Sequence, residues 1–204
     1  MTWSWWLALA ASYLVGSFPT GYVLVKWLTH QDVRAIGSGN VGATNVTRAA
    51  GPGLGAIVLL IDIAKGALAA SLLASAFIHP ISLTARLSCG LAAVVGHTAS
   101  VFLAFRGGKG VATTVGVLLA AMPGIGLASS LVWLAGFAVS RYVSVGSLLA
   151  AISIPVWQML AHQDPSAVGL GIALALLISV RHYANITRLV SRTEHRVSWS
   201  RRRR

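Results

Sequence analysis

Short polar stretches rich in glycine lie between long apolar segments, and they hold the residues best suited to chemistry. The longest, residues 37–48, reads Gly-Ser-Gly-Asn-Val-Gly-Ala-Thr-Asn-Val-Thr-Arg. Glycine lets a backbone turn its N–H groups toward a ligand, and Ser, Thr, Asn and Arg add side-chain donors that suit a phosphate. Connecting loops share this composition, so the stretch alone leaves a linker and an anion cradle both open.

Three further stretches combine glycine or serine with basic or amide side chains. They are Gly96-His97 leading to Gly107-Gly108-Lys109-Gly110, Ser144 and Ser147 after Arg141, and Arg181-His182 with Asn185 and Arg188. A site built from cations, amides and hydroxyls stabilises developing negative charge and positions reactants. The four stretches together therefore predict a phosphate-binding pocket if the fold brings them to one place.

Motifs for other chemistries do not fit this sequence. The run ending at Gly110 is not a P-loop, because Leu103 stands where the first glycine is needed and Gly110 where Ser or Thr is needed. Neither His97 nor His182 is followed by an Asp after four intervening residues, which excludes a His-x4-Asp acyltransferase site at either histidine. The single cysteine, Cys89, lies in an apolar segment without partners at zinc spacing, so we expect it to pack.

Carboxylates are scarce in this chain. The four are Asp32, Asp62, Asp164 and Glu194. Asp62 lies three residues before Lys65 inside an apolar segment, so the two share a helix face and are predicted to pair, in a structural or a catalytic role. We expect no pair of acids ready for general acid–base work, and no metal site, on the face that carries the glycine-rich stretches.

The composition is that of an integral membrane protein. Of the 204 residues, 56% are hydrophobic and 10% charged, and several apolar segments reach the roughly 20 residues that a membrane-crossing helix needs. The net charge of +12 lies between and after these segments, which favours lipid headgroups and a phosphorylated substrate over nucleic acid. The sequence thus predicts an all-α membrane protein.

The distribution of Lys and Arg predicts the topology. Loops with basic residues face the cytoplasm, whereas the loops at residues 79–82 and 162–165, which lack Lys and Arg, face outward. The basic groups are Lys26, Arg34 and Arg48, then Arg106 and Lys109, then Arg141, and then residues 181–204. The N-terminus is therefore predicted outside and the C-terminus in the cytoplasm, with all four donor-rich stretches on the cytoplasmic face.

Residues 111–140 must then begin and end on the cytoplasmic side. This requires two short helices of about 14 residues each, or a re-entrant hairpin, turning near Pro123-Gly124. The count is about seven transmembrane helices, or five full spans plus a hairpin. We expect one membrane domain over residues 1–190, followed by a basic cytoplasmic tail at 191–204 that contacts anionic lipids.

These residues resemble the bacterial glycerol-3-phosphate acyltransferases that use acyl phosphate as donor, the PlsY type. The motifs are Tyr13-Leu14-Val15-Gly16-Ser17 with Pro19-Thr20-Gly21-Tyr22, residues 37–45 with Arg48, Asp62 with Lys65 and Gly66, Gly96-His97 on to Phe105, residues 107–113, and residues 181–189. Ser100 stands where this family usually has Pro, and Arg192 where a Gly commonly precedes Thr193-Glu194. The second departure leaves the placement of Glu194 open.

The resemblance implies a seven-helix membrane fold and transfer of a fatty acyl group from acyl phosphate to the 1-hydroxyl of sn-glycerol 3-phosphate. The products are lysophosphatidic acid and phosphate, with the donor's phosphate accepting the hydroxyl proton and no metal or cofactor. The predicted phosphate-binding residues are Ser38, Gly39, Asn40, Thr44, Asn45, Arg48, Gly107, Gly108, Lys109, Gly110 and Arg188. The predicted catalytic residues, which would orient the acceptor and the reacting carbonyl, are Ser147, His182 and Asn185.

The expected setting is the bacterial inner membrane, with the protein acting as a monomer. A small transporter or channel for phosphorylated metabolites is the alternative, because broken helices and intramembrane charges also suit that role. Against it, the sequence shows no obvious inverted repeat and its polar clusters lie on one face.

Overall fold

The computed structural model describes residues 2–197, and every regular element in that range is helical. The helices are α1 (Trp3–Ser17), α2 (Thr20–Thr29), α3 (Ala43–Ala50), α4 (Pro52–Leu68), α5 (Ala74–Phe77), α6 (Leu83–Thr98), α7 (Val111–Ala121), α8 (Pro123–Ser140), α9 (Val143–Leu160), α10 (Pro165–Arg181) and α11 (Tyr183–Val190). A π-helical segment at Ala69–Leu73 joins α4 to α5. The expected lipid contact of Arg201–Arg204 lies outside the described residues.

The first apolar segment is broken at Pro19, as its sequence predicts. Helix α1 ends before this proline and α2 begins after it, because proline has no N–H to continue the helical hydrogen bonds. The ammonium group of Lys65 donates to the carbonyl oxygen of Phe18 at this break, over 3.2 Å. The buried ion pair between Lys65 and Asp62, with N and O 2.8 Å apart, therefore also supports the break.

Within residues 2–197, five helical segments are long and apolar enough to cross a membrane. They are Trp3–Thr29, Pro52–Phe77, Leu83–Leu103, Pro123–Ser140 and Val143–Leu160. Helices α10 and α11, which meet at a bend of 58°, make a sixth if they count as one span. The all-helical membrane architecture is thus confirmed, whereas the count of seven and the outward N-terminus stay predictions.

The expected break near Pro123 is present, but the two helices beside it are unequal. Helix α7 has 11 residues and ends before Met122, and α8 begins at Pro123 and runs for 18 residues. The expectation of two short helices of similar length is therefore wrong for α8. Proline at the first helical position lets α8 start without an unmet N–H, so the turn between the helices needs only one residue.

Helices α1 and α6 approach closely because glycines lie at their contact. A Cβ atom on Gly16 would collide with the backbone of Ala93, and one on Gly96 would collide with the carbonyl oxygen of Tyr13. The Tyr13 hydroxyl donates to the carbonyl oxygen of Ala99 over 2.8 Å. This contact holds the end of α6, from which the chain continues into the loop of Lys109.

We expect Gly16→Ala to lower the melting temperature of the purified protein in detergent. The added methyl group meets backbone atoms that cannot rotate away, and such overpacking costs about 1–3 kcal/mol. Gly53→Ala is the matched control, because Gly53 also lies in a helix but has no atom within 4 Å of its built Cβ. Equal melting temperatures for the two variants would contradict the close contact.

Candidate active site

One cavity of about 310 Å³ brings the four donor-rich stretches together. The predicted site residues that line it are Ser38, Asn40, Thr44, Asn45, Arg48, Lys109, Gly110, Ser147, His182, Asn185 and Arg188. Three predicted glycines, Gly39, Gly107 and Gly108, are not among the described lining residues. The helix ends of α3, α7, α9 and α11 therefore form a common site around side chains rather than around these glycines.

Three backbone amide groups of residues 37–42, those of Ser38, Gly39 and Gly42, are used inside their own loop. The N–H of Ser38 donates to Oδ1 of Asn45 over 2.9 Å, and that of Gly39 to the carbonyl oxygen of Ile36 over 3.0 Å. The Asn45 amide group donates in turn to the carbonyl oxygens of Val33 and Ile36. Asn45 thus organises the loop that presents Ser38, instead of offering its own donors to a ligand.

The loop of residues 107–110 is held in the same way. The N–H groups of Gly107 and Gly108 donate to the carbonyl oxygens of Thr98 and His97, over 3.1 and 2.9 Å. The Arg181 guanidinium donates to the carbonyl oxygens of both glycines, over 3.0 and 3.2 Å. The N–H groups of these two glycines thus have backbone partners, and their expected role as phosphate donors stays a prediction.

Lys109 projects from this loop into a cluster of positive charge. Its ammonium donates to Oδ1 of Asn185, and the guanidinium groups of Arg48, Arg181 and Arg188 lie near enough to act on it. Burial lowers the pKa of Lys109 to about 8, and the neighbouring arginines add to this effect against the opposing charge of Glu194. Placing cations together in a partly dry cavity is costly unless an anion binds there.

Glu194 lies in the cavity wall, a position that the sequence left open. Its carboxylate accepts hydrogen bonds from Ser144 at 3.0 Å, from Asn185 at 2.6 Å and from Arg188 at 2.7 Å. Burial opposes ionisation, but these hydrogen bonds, that from Arg188 first, lower the pKa of Glu194. The N–H of Val197 donates to the carbonyl oxygen of Arg141, so the chain continues along the site beyond the expected domain boundary at residue 190.

Two carboxylates, Asp62 and Glu194, line the described part of the cavity. Each is engaged by a cation. Asp62 is paired with Lys65 and lies 3.7 Å from Nδ1 of His97, while Glu194 is paired with Arg188 at 2.7 Å. Because both anions are already paired, neither acts as an unopposed general base.

Ser147 and His182 are fixed by hydrogen bonds to their own helices. The Ser147 hydroxyl donates to the carbonyl oxygen of Val143 over 2.9 Å and accepts from the indole N–H of Trp133 over 3.2 Å. Nδ1 of His182 lies 2.8 Å from the carbonyl oxygen of Ile178. A carbonyl oxygen can only accept, so Nδ1 carries the proton and Nε2 of the neutral ring presents a lone pair.

Comparison with known proteins shows the family. A family model described as "Glycerol-3-phosphate acyltransferase" matches residues 6–192. The chain belongs to this family. It is 48% identical over 184 residues to a glycerol-3-phosphate acyltransferase of Myxococcus xanthus, which covers 90% of this chain and 95% of that one. It is 44% identical over 186 residues to the enzyme of that name in Aquifex aeolicus, covering 91% and 95%.

Two solved structures of PlsY, an integral membrane glycerol 3-phosphate acyltransferase, also resemble the chain. The glycerol 3-phosphate form superposes with a TM-score of 0.89 at 41% identity, and the lysophosphatidic acid form with 0.86 at 39%, each covering 96% of both chains. The expected membrane acyltransferase is thus confirmed, and the alternative of a transporter or channel finds no support in these relatives.

Among the cavity residues outside the predicted catalytic and phosphate-binding sets of this acyltransferase family member are Asp62, His97, Ser144 and Glu194. Ser144 and Glu194 were visible only as parts of longer motifs, and no spacing rule joins residues that are 50 positions apart. Asp62 was assigned to the bilayer interior, but the cavity reaches down to it between α4 and α7.

Replacing Asn45 with Ala is expected to loosen the loop of residues 36–42 and to weaken binding of glycerol 3-phosphate. The change removes three hydrogen bonds from a side chain that is 2% exposed, and each backbone group left unmet costs about 1–3 kcal/mol. Hydrogen exchange should show faster exchange of the Ser38 amide. Asn40→Ala, which removes one acceptor from the same loop, is the control, and equal exchange in both variants would contradict the scaffold role of Asn45.

Proposed function

We propose that this membrane acyltransferase transfers a fatty acyl group from acyl phosphate to the 1-hydroxyl of sn-glycerol 3-phosphate, releasing lysophosphatidic acid and phosphate. The observation that carries the proposal is the two-part cavity. Cations line its polar end, and apolar side chains from α7, α8 and α9 line the rest. Both proposed substrates carry phosphate, and one also carries a long acyl chain.

The polar end suits two phosphate groups. Arg48, Lys109 and Arg188 line it from three separate segments of the chain, together with the hydroxyl of Ser38. Arginine binds phosphate through two parallel hydrogen bonds, and lysine acts as a point charge. We assign these four side chains, rather than the glycine amides, to the phosphate groups of donor and acceptor.

The reaction needs no strong base from the protein. In the proposed step the 1-hydroxyl oxygen attacks the acyl carbonyl carbon, the bond from that carbon to the phosphate oxygen breaks, and the hydroxyl proton passes to the leaving phosphate. The pairing of Asp62 with Lys65 and of Glu194 with Arg188 favours this route, because it leaves the donor as the available proton acceptor. Nε2 of His182, with Asn185 and Ser147 beside it, would hold the hydroxyl in line.

The cavity is formed within one chain, which supports a monomer as the functional unit. We place the protein in the bacterial inner membrane, with its N-terminus outside and the cavity mouth facing the cytoplasm, where the basic loops lie. We also propose that the basic tail, predicted at residues 191–204, contacts anionic headgroups.

Purified protein given palmitoyl phosphate and glycerol 3-phosphate should release phosphate and lysophosphatidic acid in equal amounts. Palmitoyl-CoA tests the identity of the acyl donor, because it carries the same acyl chain as a thioester instead of an acyl phosphate. Product from palmitoyl-CoA but none from palmitoyl phosphate would overturn the proposed donor. Uptake of glycerol 3-phosphate into vesicles without any product would overturn the reaction itself.

The pH dependence of kcat/KM should report the ionisation of Lys109. With its pKa lowered to about 8, Lys109 loses its positive charge above that pH, while the substrate phosphate, with a second pKa of about 6, stays doubly charged. We therefore expect kcat/KM for glycerol 3-phosphate to fall above about pH 8.

Lys109→Arg is the matched variant, since arginine keeps its charge over the whole range. It should remove this fall even if its overall activity is lower. Lys109→Ala should reduce kcat/KM by roughly a hundredfold or more at pH 7. An unchanged fall above pH 8 in Lys109→Arg would assign the ionisation to another group.

A further inference from the structure

The apolar part of the cavity runs between α7, α8 and α9 and ends inside the protein. Helix α7 starts next to Lys109, and Leu118 lies about 10 Å further along it at 1.5 Å per residue. Helix α9 starts near Ser144, and Ile154 lies about 15 Å further along. Leu118 and Ile154 both line the cavity, and each is 2% exposed.

A packed layer lies beneath these two side chains. It contains Met122, Ile125 and Gln158, which are buried and are not among the described lining residues. The Gln158 side-chain amide donates to the carbonyl oxygen of Ala167 over 3.1 Å and lies 3.5 Å from the sulfur of Met122. The layer is therefore tied to α10 and to the turn between α7 and α8, and the cavity does not continue through it.

The α7–α8 turn also limits the depth of the cavity at Leu118 and Ile154, which form its floor. A Cβ atom on Gly126 would meet the backbone of Leu118 and Leu119, so the two helices are in close contact at the depth of the floor. Packed interiors resist deformation, and an acyl chain longer than the slot cannot gain room by pushing these helices apart without cost.

We infer that Ile154, with Leu118 facing it, sets the longest acyl chain that this enzyme accepts. This inference rests on the proposed function, because it takes the apolar slot as the site of the donor's acyl chain. The terminal methyl group of the chain meets the Ile154 side chain, and the length between this floor and the reacting carbonyl selects the donor. One methylene too many or too few in an apolar pocket changes kcat/KM by roughly tenfold or more.

Two substitutions on α9 should move the selection in opposite directions. Ile154→Ala deepens the slot, and Ala151→Leu fills it one turn nearer the site, because Ala151 also lines the cavity and is 2% exposed. Ile152→Ala is the matched control, since Ile152 lies on the same helix, is 55% exposed on the outer surface and is not among the described lining residues.

The experiment offers purified enzyme an equal mixture of lauroyl, myristoyl, palmitoyl and stearoyl phosphate with glycerol 3-phosphate. Mass spectrometry of the lysophosphatidic acids then gives the ratios of kcat/KM directly. Relative to the wild type, Ile154→Ala should raise the ratio of the longest product to the shortest about tenfold, Ala151→Leu should shift the profile to shorter products, and Ile152→Ala should leave it unchanged.

The outcomes separate the inference from the proposed function. A wild-type enzyme that makes no lysophosphatidic acid from any of the four donors contradicts the proposed function. If the Ile154→Ala and Ala151→Leu variants are active and keep the wild-type profile, the assignment of Ile154 as the residue that limits chain length is wrong. The proposed function is then unaffected. A shift of the same size in Ile152→Ala also overturns this assignment, because the effect would then come from α9 as a whole.

Discussion

Backbone polar groups inside a membrane protein must find partners within the protein, and this requirement shapes the whole site. In the loop at residues 107–110, Gly107 and Gly108 are buried, where unmet N–H groups are costly. Their N–H groups are accordingly bonded to the carbonyl oxygens of Thr98 and His97, and in the more exposed loop at residues 36–42 the N–H of Ser38 is bonded to Asn45. The backbone is thereby fixed in place, and the work of binding an anion falls to the side chains that these loops carry.

The same requirement explains the distribution of charge. The break at Pro19 leaves a carbonyl oxygen that Lys65 satisfies, and Asp62 neutralises Lys65. At the cavity, Glu194 meets Ser144, Asn185 and Arg188. The acidic groups thus neutralise and orient the polar side chains next to them. Lys109 and Arg48, in contrast, present a net positive charge to a ligand.

The sequence predicted the architecture better than the contacts. Length and apolar character identified the helical membrane segments, Pro19 and Pro123 located two breaks, and charge in the loops brought four distant stretches to one face. The role of each polar group in those stretches was harder to predict from the sequence. The sequence shows that an amide or a glycine is present but does not show its hydrogen-bond partner. The side chain of Asn45 makes three hydrogen bonds within its own loop, and Glu194 reaches the cavity because the chain folds back after α11.

The cavity wall combines residues that lie as far apart in the chain as Ser38 and His195. Proteins are made from the N-terminus, and helices α1 to α10 are complete before Glu194 has been added. Until then Arg188 and Asn185 lack the carboxylate that orients them. Assembly of the site is therefore a late event in biogenesis, and a chain without residues 191–197 would keep helices α1 to α11 while lacking the carboxylate that completes the anion pocket.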